Sequence, residues 1–60
     1  MQDAELDEVI VEFVRNGTYV KCKAVHTATG IEVSAMGPAL EPRAVERVAI
    51  AKLKRLIDAG

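Results

Sequence analysis

From Val9 onward apolar residues alternate with others, reading VIVEFVR before Asn16-Gly17 and YVKCKAV after it. That two-residue period belongs to β-strands. Asn-Gly between two such runs is a strong hairpin signal, because both central residues of a type I′ turn need positive φ. A loop made of Asn16-Gly17 pairs Arg15 with Thr18, then Phe13 with Val20, Val11 with Cys22 and Val9 with Ala24. Those pairs make one apolar face with Phe13 in the core. The other face receives Val14 with Tyr19, Glu12 with Lys21 and Ile10 with Lys23. Thr27-Ala28-Thr29-Gly30 reads as a second turn, Gly30 supplying the left-handed residue. A loop of those residues sets His26 across from Ile31, Ala24 from Val33 and Cys22 from Ala35, and keeps Glu32 and Ser34 out of the core.

The third run, Ile31–Met36, stops at Gly37-Pro38, since proline cannot donate to a sheet ladder. Pro42 suits the first turn of a helix running to Ala59, with Gly60 as terminator. Glu41 at its start and Lys54 and Arg55 near its end complement the helix dipole. Val45, Val48, Ala49, Leu53, Leu56 and Ile57 recur at helical spacing and form the predicted buried stripe, which Ile50 widens. The expected fold is α+β, in the order β-β-β-α: a three-stranded antiparallel meander packed against one C-terminal helix. Residues 8–60 form the single domain, and residues 1–7 are read as an acidic, disordered N-terminal segment.

Size turns this into an expectation about assembly. The chain has 60 residues, half of them hydrophobic, and a single cysteine. A domain this small buries only about 60% of its unfolded surface and ordinarily needs a disulfide, a metal or a partner chain. One cysteine cannot form an internal disulfide and suits a reducing, cytoplasmic setting. Apolar residues left over on the second sheet face, on the wide helix stripe and along the third strand's edge point to a homodimer. The expected interface residues are Ile10, Val14, Tyr19, Ile31, Met36, Ile50 and Ile57. The connection 37–42 would also let the helix cross to a partner's sheet, as a domain swap.

Charge adds a second reading. The net charge is −1, yet residues 1–14 carry Asp3, Glu5, Asp7, Glu8 and Glu12 with no basic residue, while the helix carries Arg43, Arg47, Lys54 and Arg55. Those four bases are the candidate contacts for a polyanion, which makes weak nucleic-acid binding the alternative function. Neither a secretory leader nor a membrane-spanning run is expected from the pattern.

Candidate chemistry is thin. Cys22 and His26 share a face of the second strand, but at about 3.3 Å per residue they lie ~13 Å apart, too far to share one ion. Ser34 lies across from Lys23 on an open sheet with no walled pocket around the pair. Gly17, Gly30 and Gly37 fit no phosphate-cradling spacing. Tyr19 alone makes a poor stacking platform for bases. No catalytic, cofactor or metal residues are expected, and the preferred function is an interaction or structural module without catalytic activity.

The hairpin, the ATGIEV turn into the third strand, the MGP stop and the helix ending AKLKRL resemble an uncharacterised family of short alphaproteobacterial proteins. Its members are sometimes labelled automatically as serine hydroxymethyltransferase. The resemblance spans Val9 to Leu56 and carries no catalytic residues over to this chain. That enzyme must surround pyridoxal phosphate and set a Schiff-base lysine against its ring. Lys21, Lys23, Lys52 and Lys54 all read as surface residues, in a chain with no room for a second domain.

Overall fold

The computed structural model describes residues 8–59; the acidic segment 1–7 and Gly60 lie outside them. Strands β1 (Val9–Asn16), β2 (Tyr19–His26) and β3 (Ile31–Pro38) form an open antiparallel sheet in the order β1-β2-β3, followed by helix α1 (Pro42–Ala59). This is the expected β-β-β-α arrangement, with α1 packed on β2 and β3.

The first hairpin turns one residue later than its sequence suggests. Asn16 pairs with Tyr19, so the loop is Gly17-Thr18, and the register runs Phe13 to Cys22, Val11 to Ala24 and Val9 to His26. Gly17 has φ +67°, while no non-glycine residue among those described has positive φ. One positive φ at the first central position is the signature of a type II′ turn. A type I′ turn at Asn16-Gly17 would have forced Asn16, with its Cβ, into the left-handed region. Each partner moves by two residues, so the faces are kept although the pairs change. Glu12 now lies across from Lys23 rather than Lys21. The second turn is as expected: His26 pairs with Ile31, and Gly30 has φ +78°.

Strand β3 continues through Gly37 and Pro38, which pair with Val20 and Tyr19. The continuation is needed because α1 rests on it. A Cβ on Gly37 would stand 2.6 Å from Val45 Cγ2, so only a glycine lets the helix start this low. Beyond it the chain is held by Ala39 N–H donating to the Thr18 carbonyl at 2.9 Å and Glu41 N–H donating to the Pro38 carbonyl at 3.0 Å. The Glu41 carbonyl then accepts Val45 N–H at 3.3 Å, so Glu41 caps the helix and Pro42 opens it, where a missing N–H costs nothing. The helix's first turn holds no acid and its last turn no base. Glu41, Lys54 and Arg55 therefore lie outside the turns where the dipole acts most strongly.

The core is narrow. Val20, Cys22, Ala24 and Ala35 from the sheet meet Val45, Ala49 and Leu53 from the helix, with Ile31, Val33, Ile50 and Ile57 half-buried around them. Phe13, Val48 and Leu56, expected inside, are 46%, 52% and 49% exposed. The helix lies over β2 and β3, so Phe13 on β1 has no layer above it. Helical spacing puts Val48 on the flank of α1 away from Ile50, and Leu56 lies in the last turn of the helix.

Replacing Gly37 with alanine should destabilise the fold by about 1–3 kcal/mol through overpacking against Val45. Combining it with Val45→Ala should recover part of that loss in a double-mutant cycle of urea melts. Strictly additive costs would show that the two residues do not meet.

Candidate interaction surface

The helix-free face of the sheet is a lattice of rows fixed by the two registers. Val14, Lys21 and Met36 make one row; Glu12, Lys23 and Ser34 the next; Ile10, Val25 and Glu32 the last. Tyr19 stands at the opposite end, between Asn16 and Pro38. Ile10, Val14, Tyr19 and Met36 are all exposed large apolar side chains, Met36 most of all at 64%. Four expected interface residues thus gather on this face. Ile31 is on the other face, half-buried beside His26. Ile50 and Ile57 are half-buried on the helix, packed against the core.

The polar residues here are ordinary surface groups. Lys23 Nζ is 3.6 Å from Glu32 Oε1, both side chains about half exposed, a pairing worth roughly 0–1 kcal/mol. Ser34 is across from Lys23 as expected, but the ammonium is directed to Glu32. Lys21, Lys23, Glu32, Val33 and Ser34 line one shallow, open depression.

The edges of the sheet differ. Lys52 reaches from α1 and donates to the Ser34 carbonyl of β3 at 2.8 Å. The edge expected to be bare is therefore partly guarded. Strand β1 is the open one: it holds no buried residue, and Ile10, Phe13 and Val14 are exposed on its two faces. Sequence periodicity puts Phe13 on the correct face but carries no signal of how far across the sheet the helix reaches.

Cys22 and His26 share the helix-covered face and are both buried. His26 Nδ1 is hydrogen-bonded to the Thr29 hydroxyl at 2.8 Å, and that oxygen also accepts Ile31 N–H at 3.3 Å, closing the second turn. His26 Nε2 is buried with no partner among the described residues. No group of three or more His, Cys, Asp or Glu among those residues is placed to hold a metal ion. Burial raises the Cys22 thiol above its ordinary value of 9.0, and the Glu46 carboxylate raises it further. Its contribution to stability is present below the ordinary thiol range and lost as pH rises through the folded-state value.

Of the basic residues of α1, Lys52 reaches the β3 edge, and the four candidate polyanion contacts are placed differently. Arg43, Arg47 and Arg55 are exposed, and Lys54 is half-buried. Spacings of four and seven put Arg43, Arg47 and Lys54 on one side of the helix. Among the described residues no helix is long and apolar enough to cross a membrane.

Cys22 should resist iodoacetamide at neutral pH in the folded protein and react fully once denatured. Equal rates in the two states, followed by mass spectrometry, would remove it from the core.

No curated protein and no solved structure matches the chain. Residues 6–60 match the family described as a domain of unknown function, DUF6898. With nearly its whole length in that match, the chain belongs to this family.

Proposed function

We propose that the protein is a non-catalytic interaction module that works as a homodimer. The observation that carries this reading is the run of exposed Ile10, Val14, Tyr19 and Met36 on the helix-free sheet face, joined by Phe13 on the uncovered strand. Large apolar side chains exposed together among charged ones mark interaction sites in soluble proteins. The short connection into α1, tied by Ala39 and Glu41 backbone bonds, favours a dimer of intact subunits over one that exchanges helices. Sedimentation equilibrium at tens of micromolar should give twice the 6.5 kDa chain mass. A monomer mass there would sink the reading.

The clustering of Arg43, Arg47 and Lys54 on one helix side favours a second function, sequence-independent binding of nucleic acid. Such binding must weaken steeply with salt as counterions are released. Titration against DNA and RNA at rising salt tests it, and no binding at low salt removes it.

A further inference from the structure

Resting on the homodimer reading, we infer that the second copy is held by the edge of β1, strand against strand, in one continuous six-stranded sheet.

Hydrogen-bond direction comes first. In a hairpin closed by a two-residue loop, the residues flanking the loop exchange both backbone bonds, and every second pair repeats this. Asn16 and Tyr19 flank the Gly17-Thr18 loop. The even-numbered residues of β1 therefore bond inward to β2. The far end agrees, since the Glu8 carbonyl accepts Thr27 N–H at 3.3 Å. Val9, Val11, Phe13 and Arg15 then direct N–H and C=O outward. No other described residue bonds those groups. On β3 the outward groups belong to Glu32, Ser34, Met36 and Pro38, where Lys52 occupies one carbonyl and Pro38 has no N–H to offer. Lysine and proline are ordinary means of blunting an edge. Strand β1 has a continuous eight-residue register without proline.

Side-chain demand points the same way. A stable dimer takes about 800 Å² from each partner, roughly a fifth of the 4300 Å² this chain exposes. The helix-free face is only about 14 by 26 Å from strand spacing and rise, and Glu12, Lys21, Lys23 and Glu32 interrupt it. Pairing at β1 draws on both faces at once: Ile10 and Val14 on one, Val11 and Phe13 with the Ile50 flank of α1 on the other.

The strand is suited to its own copy. Antiparallel pairing of β1 with itself has two-fold symmetry, so one surface serves both subunits. Outward-directed residues must meet outward-directed residues, which limits the registers. Centring on Glu12 sets two carboxylates directly opposite, an unfavourable pair. Centring on Phe13 stacks Phe13 on its copy, sets Val11 across from Arg15, and places Glu12 across from Val14. The Phe13-centred register avoids the like-charge clash and fills the space that α1 leaves open.

Arg15→Pro and Phe13→Lys test this, because both alter the outward edge while leaving the β1–β2 ladder intact. Sedimentation equilibrium, with circular dichroism melts to confirm folding, should show a dimeric wild type and folded variants whose dissociation constant rises at least tenfold. Met36→Lys, on the helix-free face away from β1, should remain dimeric. If the wild type is monomeric, the homodimer reading fails and this inference with it. If the wild type is dimeric, and Met36→Lys dissociates it while the folded edge variants do not, the homodimer stands and the β1 edge is overturned. Should either edge variant unfold, paramagnetic broadening from a spin label at residue 15 decides instead. Intermolecular broadening centred on β1 supports the inference, and broadening centred on β3 overturns it.

Discussion

The contact of Val45 with the bare backbone of Gly37 sets the height and place of the helix. A helix needs small residues beneath it to lie this close to a sheet, and the floor here is Cys22, Ala24, Ala35 and Gly37, with Ala49 above it. The low seat gives dense dispersion contact from modest side chains. It also has a lateral consequence. A helix with side chains is about 10–12 Å wide, and strands are about 4.8 Å apart, so one helix fully covers two strands and not three. Centred by Gly37 and held to the β3 edge by Lys52, α1 covers β2 and β3. What is left of the sheet is β1.

The uncovered strand links fold to assembly. Most of the buried core is valine, alanine and cysteine, and among the described residues only Leu53 and Cys22 are fully buried side chains of any size. The largest apolar side chain of the hairpin, Phe13, lies outside this core. In a chain whose burial is already limited by its length, leaving a phenylalanine half in water forgoes on the order of 1 kcal/mol. The same surface would recover that free energy in the proposed dimer.

Much of this was legible in the sequence because both periods are strong. Alternation fixed which residues share a sheet face, and the face survived an error in the turn, because the two hairpin registers differ by an even number of residues. Gly30 marks the second turn in sequence for the same reason that its φ is positive in the structure: a residue without Cβ enters the left-handed region freely. The misplaced side chains, Phe13, Val48 and Leu56, share one cause. A helical stripe shows that a helix buries one side, but the azimuth and lateral position of that side depend on where the helix can approach. Gly37 reads as a strand terminator in sequence, and its role as the seat of Val45 is a tertiary contact that no local pattern encodes. Lys52 over the β3 edge is equally silent in sequence, since a helix lysine reads as solvated until its neighbour is known.

The two edges together suggest why the helix sits to one side. Were α1 centred on β2, Phe13 would be better covered, but Lys52 would lose the Ser34 carbonyl and both edges would be open. Displacement toward β3 guards one edge and exposes the other along with its apolar side chains. Two open edges favour indefinite sheet growth, the hazard natural proteins avoid. One open edge and one guarded edge allow pairing to stop at two. In the proposed dimer Lys52 would matter as much as Phe13: Phe13 would direct where a second chain joins, and Lys52 would limit where a third could follow.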